Sequence, residues 1–214
     1  SEIFSFSDSE GRQYSPLFDS CREAFENHGY SVQMVALRGD VQRGMRFASK
    51  NITNLPKIER RRILDAVLRL LTNGSLHSRF EERGWGRILD AVRPRAVVTV
   101  QPSPAFCRAA RKRGCGIFDL QHGYSLANHG GYYNYSRVAG LGLLERPSAV
   151  LCWDQQSAAS LRAQIGHLVP AAVVGHPWLG RLARATDTDP LISEQLRQLA
   201  AIQAKFGGRP LVLV

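Results

Sequence analysis

"RAVVTVQPSPAFCRAARKRGCGIFDLQHG", residues 95–123, is the stretch whose reading decides the fold. It opens on an almost continuous apolar run, the pattern of a strand covered on both faces. "PSPAFCRAARKRG" follows with helical character and stops at Gly114. "GIFDLQ" is strand-like again and ends on a His-Gly pair. Strand, helix and strand in so short a span imply a parallel pair joined by a helical crossover.

The same alternation continues toward the C-terminus. After a long loop from His122 to about Arg146 come "SAVLCWD" as a strand, "QQSAASLRAQIG" as a helix and "AAVVG" as a short strand. "DPLISEQLRQLAAIQAKFGG" reads as a final helix. Toward the N-terminus, residues 40 to 93 are mainly helical in pattern, with breaks at Asn54–Pro56 and Asn73–Ser75. Ahead of them "EIFSFS" and "YSVQMVAL" are strands around a helix from Ser15 to His28, with Ser15 as N-cap, Pro16 at the first position and Gly29 as the stop. About six strands alternating with helices predict an α/β fold, a Rossmann-like parallel sheet with helices on both faces. The first turn lacks G-x-G-x-x-G, which argues against ordinary dinucleotide binding there.

Composition narrows the class. The 214 residues are 44% apolar, enough to bury a core. No run approaches the roughly 20 apolar residues that cross a bilayer. "SEIFSFSDSEGRQY" has no basic segment followed by an apolar one, so a cytoplasmic location is the expectation. Cys21, Cys107, Cys115 and Cys152 form no C-x-x-C pair and read as reduced, buried thiols.

The net charge of +10 raises nucleic acid as a partner, but 24 of the 28 basic residues are arginines distributed along most of the chain. No RNP-like motif or zinc finger accompanies them, so no nucleic acid is expected. The densest run, "KIERRRILDAVLRLL", predicts a helix with Ile58, Leu64, Val67, Leu68 and Leu71 near one face and Arg60, Arg61 and Arg62 outside it. A solvated basic face is the plain reading. Attraction to an anionic membrane surface is the sharper one.

Candidate chemistry follows from the sheet. In parallel α/β sheets ligands sit beyond the carboxyl ends of the strands. If the strands are adjacent, one rim carries Ser103, His122, Asp154 and His176. His122 suits a general base at neutral pH, since a free imidazole titrates near 6.5. Gly123 after it lets the backbone turn sharply or approach a ligand. A histidine hydrogen-bonded to loop backbone, with no chemical task, is the open alternative. His129 lies mid-loop as an orienting or structural residue. Tyr124, Tyr132, Tyr133 and Tyr135 offer either a platform for a sugar ring or simple loop packing. His122 and His129 have no carboxylate or cysteine to complete a metal set, so no metal is expected. Asp119 lies inside its strand, where alternation turns it away from the rim.

Three motifs in order carry a resemblance: Gln121-His122-Gly123 at a strand end, the Ala149–Trp153 strand with its helix, and the turn Val174-Gly175-His176-Pro177. Together they resemble the N-terminal half of a GT-B glycosyltransferase of bacterial capsule or lipopolysaccharide synthesis. The resemblance covers about residues 95 to 180, and the opening only loosely. It implies residues 1–180 as the acceptor-side domain, and 181–214 as a linker helix with the first strand of a second, donor-binding domain. "RPLVLV" is read as that strand, with the natural protein continuing past Val214. The implied activity is transfer of a sugar from a nucleotide sugar to a glycan or lipid-linked acceptor, with no separate cofactor. His122 would be the base or a donor-phosphate contact. Gln121, Gly123, Ser103, His129, Tyr132 and His176 would contact substrate. A nucleotide-sugar epimerase shares the architecture and is the alternative enzyme; a non-catalytic basic binding module is the alternative outside enzymes. Two departures stand out. Tyr124-Ser125 replaces the Thr-Pro of polyol-phosphate transferases, and His176 stands where Asn or Thr is usual.

Overall fold

A computed structural model describes residues 6–7, 13–36, 52–54, 56–71, 79–121, 123, 140–184, 189–205 and 207. In chain order the elements are β1 (Phe6–Ser7), β2 (Gln13–Tyr14), α1 (Pro16–Asn27), β3 (Met34–Ala36), β4 (Ile52–Asn54), α2 (Pro56–Leu71) and α3 (Phe80–Val92). Then come β5 (Ala96–Thr99), α4 (Pro104–Arg111), β6 (Gly116–Leu120), a 3-10 turn at Leu143–Glu145, β7 (Ala149–Cys152), α5 (Gln155–Ile165), β8 (Ala171–Val173), α6 (Pro177–Arg184) and α7 (Pro190–Lys205). The chain divides into two compact units. One comprises Ser1–Met34, Gln42–Ile52 and Pro177–Val214; the other comprises Val35–Val41 and Thr53–His176.

The second unit holds the sheet. Its order is β5-β6-β7-β8, and every neighbouring pair is parallel. Val97 aligns with Ile117, Asp119 with Val150, and Val150 with Ala171. Because alternate residues share a face, Val97, Ile117, Asp119, Val150 and Cys152 all project to one side. The helices lie there. Ile117 packs with Phe106, Cys107, Ala109 and Ala110 of α4 and with Leu89 of α3. Val150 and Cys152 pack with Ala158, Leu161 and Ile165 of α5. Strands added one after another in the same direction, each by a right-handed crossover, put every crossover helix on the same face. On the opposite side Val98, Phe118 and Leu151 are half-buried. The parallel α/β expectation is thus met; the helices described against this sheet pack on one face.

α2 and α3 pack closely. A Cβ at Gly84 would stand 2.7 Å from Ile58 Cδ1 and 2.6 Å from Arg61 Nη1. The inward side of α2 is Ile58 and Asp65, both buried. Leu64, Val67 and Leu71, read from the sequence as sharing a face with Ile58, are exposed while Ile58 is buried. Asp65 faces inward because its Oδ2 accepts the Glu81 N–H at 2.9 Å. α3 starts after Arg79 with no side-chain cap of its own, so α2 supplies one.

The opening of the chain departs from the βαβ expectation. β1, within the expected opening strand, pairs antiparallel with β2, which lies in what the sequence suggests is a polar loop. β3 pairs with β4 in another two-stranded sheet, and β4 lies where the pattern suggests helix. α1 is as expected: Ser15 Oγ accepts the Phe18 N–H, and Pro16 occupies the first turn. In the first unit, Arg181 of α6 pairs with Glu23 of α1 at 2.7 Å and with Asp189 at 2.8 Å. α6 itself occupies residues read from sequence as turn and linker.

Candidate functional site

Four adjacent parallel strands end together, so their carboxyl ends form one rim. β5 leads into Gln101 and Ser103, β6 into Gln121 and Gly123, β7 into Trp153 and Asp154, and β8 into Gly175 and His176. This adjacency was the condition for placing Ser103, Asp154 and His176 on one edge, and it is met. His122 stands between Gln121 and Gly123 in sequence but, with His129 and Tyr132, lies outside the described residues.

Gln121 is buried and its side chain is committed within the protein. Its Oε1 accepts the Trp153 N–H at 2.8 Å, while Nε2 donates to Gly123 O at 2.8 Å and to Ser157 Oγ at 3.1 Å. The Ser157 hydroxyl donates onward to Asp154 Oδ2 at 2.9 Å. Asp154 Oδ1 accepts the Ser157 N–H at 2.7 Å, capping α5. One amide thus ties the end of β6 to the turn after β7 and the first turn of α5. Both N–H donors of Gln121 are spent on these bonds, so it ties Gly123 to the strand end rather than presenting donors to substrate.

Ser103 is similarly engaged. It caps α4 by accepting the Phe106 N–H at 3.2 Å, and its hydroxyl donates to Glu81 Oε1 at 2.6 Å. Glu81 is buried and also accepts from Trp85 Nε1 at 3.3 Å. Beside it, Glu82 is held by Arg108 and Lys112, and Arg108 also reaches Glu145. These ion pairs fix the first turn of α3 against the last turn of α4.

His176 has a different environment. Gly175 adopts φ +80°, a conformation that favours glycine, and delivers the chain to His176. The imidazole lies against the Trp153 indole, ring centres 4.1 Å apart and tilted by 51°. Burial lowers its pKa below the ordinary value, so the ring is neutral at physiological pH. A neutral imidazole can accept a proton or donate a hydrogen bond, which suits a substrate hydroxyl or phosphate.

Asp119 is the residue at this rim that sequence reasoning set aside. Alternation turns it to the helix-covered face, where it is buried, and its Oδ1 accepts the Gln101 N–H at 2.9 Å. Burial raises its pKa from 3.8 to about 7, with the Gln101 bond pulling the other way. Gln101 has φ +49°, which is uncommon for a residue with a side chain. A buried acid thus holds the loop from β5 to α4 in a left-handed conformation. A lone acid within an apolar strand was the available signal.

His28 closes α1 with Nδ1 at 2.8 Å from Ala24 O, and His167 is exposed. Among the described residues no group of three or more His, Cys, Asp or Glu is placed to hold a metal ion. Nor is any described helix long and apolar enough to cross a membrane. No protein-family model matches this chain, and no curated protein matches it either.

Proposed function

We propose that this chain is the acceptor-side part of a GT-B-type glycosyltransferase, acting on a nucleotide-sugar donor and a glycan or lipid-linked acceptor. The observation that supports the reading is the single rim: four parallel strands in sequential order bring Gln121, Trp153-Asp154 and Gly175-His176 to one edge. His122, between Gln121 and Gly123 in sequence, is the proposed base. As the acceptor oxygen forms its bond to the anomeric carbon, His122 takes the hydroxyl proton and the nucleotide departs with the electrons of the broken bond. His176, neutral and tilted against the Trp153 ring, is the proposed substrate contact on the neighbouring part of the rim.

The test uses the reading frame expressed to its natural stop codon, incubated with labelled nucleotide sugars and a lipid or glycan extract. Transfer of label to acceptor supports the proposal. Replacing His122 with Ala should then lower turnover on the order of 100-fold, and full retention removes it from the role of base. Conversion of the donor without any acceptor would point to an epimerase instead.

A further inference from the structure

We infer that the outward face of α2 is a docking surface for an anionic lipid bilayer. This stands independently of the sugar-transfer reading, since it uses no residue of the rim.

Ile58 and Asp65 mark the side of α2 packed on α3. At 100° per residue, Ile63, Leu64, Val67, Leu70 and Leu71 fall on the opposite arc. They are exposed, Leu70 by 79%, Leu71 by 76% and Ile63 by 58%. Five aliphatic side chains in one stripe are more than scattered surface hydrophobics account for.

The charge of the same helix selects the partner. α2 contains five basic residues, Lys57, Arg60, Arg61, Arg62 and Arg69, against two acidic ones. One of those acids, Asp65, is turned inward to cap α3. Lys57 and Arg60 are exposed beside the apolar stripe, where their stems can lie along it and their charges can reach phosphates. A second copy would bring an equally basic helix against this one, a like-charge approach that opposes self-association. RNA would use the charge but leave five aliphatics idle, with no aromatic among them to stack a base. A bilayer with anionic headgroups satisfies both halves of the surface at once, as basic amphipathic helices lying in the interface do.

Sedimentation of the full chain with vesicles tests this directly. The chain should bind phosphatidylglycerol/phosphatidylcholine vesicles and bind phosphatidylcholine alone much more weakly, with binding falling as salt is raised. Replacing Val67, Leu70 and Leu71 together by Gln should reduce partitioning about tenfold or more. These positions are exposed, so circular-dichroism melts should be unchanged. Lys57→Gln and Arg60→Gln should each reduce partitioning to the anionic vesicles by about fivefold. If the triple variant misfolds, Leu70→Gln alone is read, with a severalfold loss expected. Failure to bind anionic vesicles overturns the inference, as does binding that the variants leave intact. A concentration-dependent dimer abolished by the triple variant, or binding to unrelated RNA in place of vesicles, would overturn it in favour of those partners.

Discussion

At the scale of single residues, Asp119 and Gln121 turn the rim into a fixed frame. The folded chain holds a proton on Asp119 up to about pH 7, whereas the unfolded chain releases it near 3.8. Across that window the folded state binds more protons, so this residue makes stability fall as pH rises from about 4 to 7 and then level off. Asp119→Asn keeps an oxygen for the Gln101 N–H and removes the titration. Its stability should therefore lose that slope and exceed the parent's at pH 8, measured by urea unfolding across the pH range. An unchanged slope would mean the carboxyl is ionised throughout. Gln121 makes a contrasting case, because its worth is geometric. Gln121→Leu leaves the half-buried Trp153 N–H and Gly123 carbonyl and the buried Ser157 hydroxyl without this partner and should cost about 3 kcal/mol. Gln121→Glu keeps the acceptor for Trp153 but sets a carboxylate oxygen against the Gly123 carbonyl, so it too should lower Tm, and more at pH 8 than at pH 4.

At the scale of elements, α2 and α3 show what side-chain pattern does and does not reveal. α1, α4 and α5 begin at Ser15, Ser103 and Asp154, each of which caps its helix. Ser15 was legible as a cap from its place before Pro16. Ser103 and Asp154 were legible as strand-end residues, and in the fold they serve α4 and α5. The parallel strands could be read because residues 96–98 and 149–152 are apolar without alternation, although in the fold β5 is a half-buried edge strand and β7 alternates buried with half-buried residues. β2 and β4 escaped notice because strands of two or three residues are too short to display a period. The phase of α2 escaped for another reason. Periodicity finds an apolar stripe but assumes that it faces inward, whereas here Gly84 admits Ile58 and Asp65 caps the neighbouring helix. Asp65→Ala should therefore destabilise although it removes an acid from a leucine-rich helix. A loss of about 1–2 kcal/mol is expected, typical of a lost cap, and a neutral or stabilising result in thermal melts would contradict the tertiary cap.

At the scale of the molecule, the sheet-bearing unit is held by two hydrophobic clusters on one face of a continuous sheet, and its thiols report on that organisation. Cys107 and Cys115 belong to the cluster under α3 and α4, and Cys152 to the cluster under α5. The clusters are joined by the hydrogen-bonded pairing of β6 with β7, so neither can open fully without disturbing that ladder. Burial raises the thiol pKa to about 12 at Cys107 and about 11 at Cys152, and raises that of Cys115 as well. Because the thiolate is the reactive form, these cysteines should resist a disulfide reagent at pH 8 while the fold is closed. Labelling in increasing urea, read residue by residue by mass spectrometry, should show Cys107, Cys115 and Cys152 becoming reactive over one common transition. That is the signature of a single cooperative unit spanning both clusters. Early labelling of Cys152 alone would instead mean that β7, α5 and β8 open independently of β5 and β6. The rim could then change shape without global unfolding, because the Gln121 latch crosses that very boundary.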